Sequence, residues 1–250
     1  MLFLYAPIFV LIVFSFNQSK SKSVFTGFTL DWYLKLFRNG DILSSLGNTI
    51  IIAVVASILA TILGTAAAIG ISGMKKVSKN IVMNTTNIPV INPEIVTGVS
   101  LMLLFVFFAA RMHFEFGFVT LLIAHITFDV PYVILNVLPK IRQMNPNIYE
   151  AALDLGATPM QALRKVIVPE ILPGMISGFM LAVTLSIDDF AVTVFTIGNE
   201  GLETLSTYIY ADARKGGLTP ELRPLSTIIF VLVLVLLVII NRRAGKKKEV

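Results

Sequence analysis

The sequence predicts an all-α protein that crosses a membrane about six times, and three observations carry that expectation. Of its 250 residues 56% are apolar and 14% charged, too little polar surface for a soluble domain of this size. Apolar runs on the scale of a bilayer crossing recur from one end of the chain to the other. Between two of them lies a segment, residues 145–173, that hydrophobicity alone does not explain. The whole chain, 1–250, reads as one transmembrane domain carrying that segment.

Met1 to Phe16 is the first run, slightly short for a span. No basic residues precede it, so the natural start is expected further upstream. No small-x-small cleavage site follows at Asn17 to Lys22, so it reads as a retained helix. Asn17 to Leu43 is a polar connection in which Phe28, Trp32, Tyr33 and Phe37 recur at about helical spacing. That pattern predicts a short amphipathic helix whose Trp and Tyr favour the headgroup level. Ser44 to Ile71 is the second span, with Gly64 and the alanines after it offering a small-residue face, and Lys75, Lys76 and Lys79 end it. Ile81 to Ala110 is long for one crossing and is interrupted by Pro89, Asn92, Pro93 and Glu94. Backbone groups freed by such a break need protein or water, so the break is expected to line a cavity. Phe116 to Leu138 is the fourth span, carrying His125, Asp129 and Pro131. Gly174 to Ile197 is the fifth, ending in Ser186, Asp188 and Asp189, and Leu225 to Ile240 is the sixth.

Six spans put both termini, the Lys75 to Lys79 turn and the 145–173 segment on one side, and basic residues favour that side as cytoplasm. The bias is modest, because Lys20, Lys22, Lys35, Arg38, Arg214, Lys215 and Arg223 fall on the other side. Much of the net charge of +5 lies in the Arg242 to Lys248 tail, which suits membrane lipid at the inner leaflet better than nucleic acid.

The 145–173 segment reads as two short helices joined by a glycine. Asn145 caps the first, Pro146 sits in its first turn, and Gly156 takes the left-handed conformation that ends it. Thr158 and Gln161 form a T-x-x-Q capping box for the second, and Pro169 and Pro173 bound the segment. Ile148, Ala152 and Leu155 give the first helix one apolar stripe.

Catalysis within the chain is not expected. There is no G-x-x-x-x-G-K-[ST] phosphate loop, the Gly70 to Lys76 cluster lacking its spacing, and neither a G-x-S-x-G elbow nor an H-E-x-x-H zinc pair. With no cysteine there is no thiolate metal site. What remains is a set of acids in or beside apolar spans: Glu94, Asp129, Asp188 and Asp189. A carboxylate near the bilayer centre costs roughly 2.5–3.5 kcal/mol, so such groups usually face a pathway, a partner charge or water. Asp188 and Asp189 point about 100° apart on a helix, so one of them is free to be structural, capping the outer end of the fifth helix. Asp129 precedes Pro131, whose missing N–H leaves a carbonyl free, and His125 at i,i+4 is a candidate partner.

The 145–173 segment resembles the EAA loop of ABC-importer permeases, the cytoplasmic element that docks on the ATPase subunit. Glu150, Ala151, Ala152, Gly156 and Pro169 match its pattern, and Val166 and Val168 replace the expected Ile and Leu. Together with PIFVLIVFSFNQS, DWYLKLF, NPEIV, AHITFDVPYVIL and LSIDDF, it makes nearly the whole chain similar to the second permease subunit of spermidine/putrescine importers. The resemblance implies the type I importer permease fold in a bacterial inner membrane. It implies as partners a second permease subunit, two ATPase subunits that bind ATP and Mg, and an extracytoplasmic polyamine-binding protein; no cofactor is expected on this chain. It places polyamine passage on Trp32, Glu94, Ser186, Asp188 and Asp189. Glu94 stands where the relative has aspartate, and Asp129 has no acidic counterpart there. Two alternatives share the composition: an importer permease for another solute, and an ion-coupled secondary transporter, against which no internal repeat is visible.

Overall fold

A computed structural model describes residues 2–20, 24–198, 201–215, 219–231 and 234. The Arg242 to Lys248 tail and the end of the sixth apolar run lie outside them. The chain forms two compact units, Met1–Ser45 with Tyr208–Val250, and Leu46–Thr207.

In the first unit, α1 (Leu2–Ser15) leads into a loop organised by Asn17. The Asn17 side chain donates to the Val24 carbonyl at 2.8 Å and accepts from the Thr26 N–H at 3.0 Å. The expected amphipathic helix forms as α2 (Asp31–Leu36), but Trp32 points inward, only 6% exposed, while Phe28 and Phe37 face out. Its indole N–H finds the Asn17 carbonyl at 2.8 Å, a partner that a buried indole needs. Arg223, at the start of α12 (Leu222–Val231), donates to the Lys20 carbonyl at 2.7 Å and so ties the loop to the last described helix.

The second unit is built on α3 (Gly40–Ser72) from Leu46 onward, α4 (Lys76–Ile91), α5 (Glu94–Met112), α6 (Phe118–Gln143), α7 (Ile148–Asp154), α8 (Pro159–Ala162), α9 (Val168–Asp188) and α10 (Ala191–Thr196), with α11 (Leu205–Arg214) leaving it. Four helical stretches, Gly40–Ser72, Glu94–Met112, Phe118–Gln143 and Pro159–Asp188, are long and apolar enough to cross a membrane; Ala6–Ser15 and Leu222–Val231 are shorter apolar helices. One π-helical turn, Leu163–Ile167, joins α8 to α9, so the helix runs through Pro169 and Pro173. Those prolines therefore do not bound the segment. Pro169 follows directly on the π-helical turn, and Pro173 is inside α9.

The core of this unit is close helix packing through small residues. Along α9, Gly174, Gly178, Ala182 and Ser186 recur every fourth position, and each is buried. An added Cβ on Gly174 would lie 3.0 Å from the Asn136 carbonyl, and one on Gly178 would lie 3.2 Å from Val133 Cα. With His125 bonded to Ser186, these contacts set one antiparallel register for α6 against α9. From the other side α3 brings Gly64 against Val133, where a Cβ would lie 2.7 Å from Val133 Cβ and 3.2 Å from the Val130 carbonyl. The small face expected of the second span is thus its contact with α6. Gly64→Val should cost about 1–3 kcal/mol by overpacking, whereas Gly70→Val, with nothing within 4 Å of an added Cβ, should not repack the core. Thermal unfolding in detergent compares the two.

The interruption read from the sequence is real, and a second one, not expected, lies in the fifth run. The third apolar run is α4 and α5, separated by Asn92 and Pro93 in extended conformation. The fifth does not end in its acids: α9 stops at Asp188, Asp189 is extended, and α10 continues the run. The Thr120 hydroxyl donates to the Thr196 carbonyl at 2.8 Å, so α10 reaches the level where α6 begins. The Asp188–Asp189 break therefore lies within the span, about two turns short of that end.

Candidate functional site

The two breaks meet. Gly98, one turn into α5, packs on the start of α10, where an added Cβ would lie 2.9 Å from the Ala191 carbonyl and 3.1 Å from Val192 Cα. Glu94 is four residues earlier on the same face of α5, which brings it beside the α9–α10 break. It lies within electrostatic reach of both Asp188 and Asp189. Three carboxylates from two discontinuous helices thus share one region, a place where lipid would not satisfy them.

Their roles differ. Glu94 and Asp188 are exposed and form no hydrogen bond or ion pair among the described residues. Asp189 is buried and caps α10: its carboxylate accepts from Val192 N–H at 3.1 Å, Thr193 N–H at 2.8 Å and the Thr193 hydroxyl at 2.8 Å. The cap expected of one of these acids exists, but on the helix that follows the break. Ser186 is buried, its hydroxyl 2.5 Å from His125 Nδ1. The free carbonyls at the C-terminal end of α9 add partial negative charge beside Asp188, which favours a cation.

His125 is the residue whose part the sequence concealed. The i,i+4 pairing with Asp129 does not form. Instead His125 Nδ1 meets Ser186 before the break, Nε2 meets the Thr193 hydroxyl at 3.0 Å beyond it, and Nε2 lies 3.8 Å from the Asp189 carboxylate. One imidazole on α6 therefore holds both sides of the α9–α10 break. Asp129, one turn further along α6, is 0% exposed, and neither carboxylate oxygen has a hydrogen-bond partner. The local hydrogen-bonding role expected for it is absent. Tyr132, three residues on and half-buried, lies within electrostatic reach of both Glu94 and Asp129.

Trp32 belongs to the first compact unit and the acids to the second. The face of its ring is met by Lys35 Nζ, 4.4 Å from the ring centroid, and its N–H by the Asn17 carbonyl.

At the far end of the second unit, the 145–173 segment forms largely as its local chemistry dictates. Gly156 has φ +85°, and its N–H and that of Ala157 donate to the carbonyls of Leu153 and Ala152 at 2.8 and 3.1 Å, a Schellman motif. The Thr158 box closes in both directions, 2.9 Å from Thr158 N–H to Gln161 Oε1 and 3.4 Å from Gln161 N–H to Thr158 Oγ1. Asn145 does not cap α7 directly; its side chain accepts from Asn147 N–H at 3.0 Å in an Asx turn, and α7 starts at Ile148. The apolar stripe is shorter than expected. Ala152 is buried, but Leu155 is 89% exposed, since the helix ends there and turns it outward. Glu150, Ala151, Gly156 and Pro169 are exposed alongside it. A cavity of about 780 Å³ opens behind α7 and α8; none of the acids at the breaks lines it.

A family model described as a binding-protein-dependent transport system inner membrane component matches residues 60–244. The putrescine transport system permease protein PotI of Escherichia coli strain K12 is 38% identical over 231 residues, 91% of this chain and 81% of that protein. The spermidine/putrescine transport system permease protein PotC of Haemophilus influenzae is 37% identical over 237 residues, 95% of this chain and 90% of its own. In fold, a chain of a bacterial ABC transporter involved in import of the acidic polysaccharide alginate superposes with a TM-score of 0.73. That match covers 98% of this chain and 90% of the other at 16% identity, a likeness of fold alone.

Proposed function

This chain belongs to the binding-protein-dependent transport system inner membrane components and has the type I importer permease fold, and on that premise we propose that its cargo is a polyamine. The observation that carries the reading is the meeting of Glu94, Asp188 and Asp189 at two helix breaks. A flexible amine with several ammonium groups is matched by several carboxylates, and charge-assisted hydrogen bonds at each group give both attraction and orientation. A neutral or anionic solute would meet only repulsion or unrewarded desolvation there. The names of the putrescine and spermidine/putrescine permeases to which the chain is similar support the same class.

In this mechanism Glu94 and Asp188 present free carboxylates to the ammonium groups, while Asp189 holds the start of α10 in place and lends its charge to the region. His125 and Ser186 keep the two halves of the broken span in register. A second permease subunit closes the pathway opposite Glu94 and Asp188, and a binding protein outside the membrane delivers the amine. Two ATPase subunits, carrying ATP and Mg, dock on the α7–α8 turn at Glu150, Ala151, Ala152, Gly156 and Pro169 and move it as a lever. Both termini lie on that cytoplasmic side.

The test is initial-rate uptake of labelled putrescine and spermidine by the reconstituted transporter, with amino acids, sugars and inorganic cations as competitors. Amines alone are expected to compete. Competition by another solute class, with no amine transport, would move the chain to an importer of that solute. Uptake that proceeds without ATPase subunits would mark an ion-coupled transporter.

A further inference from the structure

Asp129 is not explained by the pathway just described. It is fully buried, both carboxylate oxygens lack a partner, and it lies roughly 16 Å along α6 from Phe118, deep in the span. The register set by His125 against Ser186 and Val133 against Gly178 places Ala182 opposite it on α9, a side chain that can neither donate to it nor fill much space. A water there would need two or more polar partners, and among the described residues α9 brings no polar side chain opposite Asp129 in this register. Asp129 nevertheless lies within electrostatic reach of Asp189. Tyr132, three residues further along α6, lies within electrostatic reach of both Asp129 and the exposed Glu94, and its hydroxyl also has no hydrogen-bond partner among the described residues. Phe128 packs edge-on against its ring at 5.5 Å and fixes the orientation of that face.

Resting on the amine-cargo reading, we propose that Asp129 and Tyr132 form an inner cation subsite, which takes the far ammonium group of a long polyamine whose near groups sit at Glu94 and Asp188. Tyr132 is the aromatic of this path: its π face is attractive to an ammonium group passing from Glu94 inward, and its free hydroxyl accepts from it. The carboxylate of Asp129 is the end point, paired only when the cargo is there. A diamine with both groups held at the outer acids leaves Asp129 empty, whereas a triamine has a group to spare. The subsite is therefore a length selector.

The experiment measures KM and kcat for putrescine and for spermidine with the complete transporter, in the wild type and in Asp129→Asn, Tyr132→Phe and Tyr132→Leu. Loss of one charge-assisted contact corresponds to about a tenfold or greater rise in KM. Asp129→Asn should show that rise for spermidine and little change for putrescine. Tyr132→Leu should shift the same ratio in the same direction, and Tyr132→Phe, which keeps the π face, should shift it less. A merely structural Asp129 would lower the amount of active transporter and leave both KM values alone. An unchanged spermidine-to-putrescine ratio in both Asp129→Asn and Tyr132→Leu overturns the subsite while leaving the amine cargo intact. A wild type that carries neither amine overturns the cargo reading itself, and the subsite with it.

Discussion

Replacing Gly156 by proline is expected to abolish uptake while the protein still inserts. The residue sits at φ +85° with nothing within 4 Å of where a Cβ would be, so the constraint is one of backbone and not of space. Proline holds φ near −65° and removes the N–H that donates to the Leu153 carbonyl at 2.8 Å, so the Schellman turn cannot close. An ordinary β-carbon in the left-handed region costs about 1–2 kcal/mol, and asparagine tolerates it best. The expected order of uptake is therefore wild type, then Gly156→Asn, then Gly156→Val, then Gly156→Pro near zero. Glu150→Lys should be equally damaging through a different route, because it reverses an exposed charge in the first turn of α7 without touching the fold. The measurement is uptake beside ATPase activity: a lost lever leaves ATP hydrolysis uncoupled from cargo. Normal coupled transport by Gly156→Pro and Glu150→Lys would remove the docking role from this turn.

Neutralising the acids one at a time should separate transport from folding. Asp189→Ala leaves the N–H groups of Val192 and Thr193 without acceptors in a buried site, a loss of about 2–4 kcal/mol when a cap and an orphaned donor are combined. Its folded yield and melting temperature in detergent should fall. Asp189→Asn, which keeps one side-chain acceptor, should fall less. Asp188→Asn and Glu94→Gln touch no hydrogen bond among the described residues, so their melting temperatures should stay at the wild-type value. Their uptake of a polyamine should nevertheless drop about tenfold or more at equal protein, since each loses a charge-assisted contact with the cargo. Wild-type uptake by Asp188→Asn and Glu94→Gln would reduce both acids to surface charges and remove them from the pathway.

Much of this was legible without coordinates wherever the physics is local. The Thr158–Gln161 box and the Gly156 turn each depend on atoms three to five residues apart, and both formed as read. The Asn92–Pro93 break was visible for the same reason, because a proline acts on the residues beside it. Leu155 shows the limit even of local reading. It has the spacing of the apolar stripe, but the helix ends at it, and past that point helical periodicity no longer says where a side chain points.

The sequence by itself determined that this chain is a helical membrane protein with acids it must accommodate, and which turn is shaped by a left-handed glycine. Only the tertiary structure decided which acids stand together. His125 has Asp129 as its i,i+4 neighbour, yet its partners are Ser186, Thr193 and Asp189, more than sixty residues away. That choice is made by the register between α6 and α9, set where Gly174 and Gly178 let the backbones approach. Small residues announce that two helices can come close, but not which helix arrives or at what height. A shift of one turn would bring a different pair of side chains face to face, and it is the packing of three helices around Val133 that selects the one in which Asp189 is satisfied and Asp129 is not.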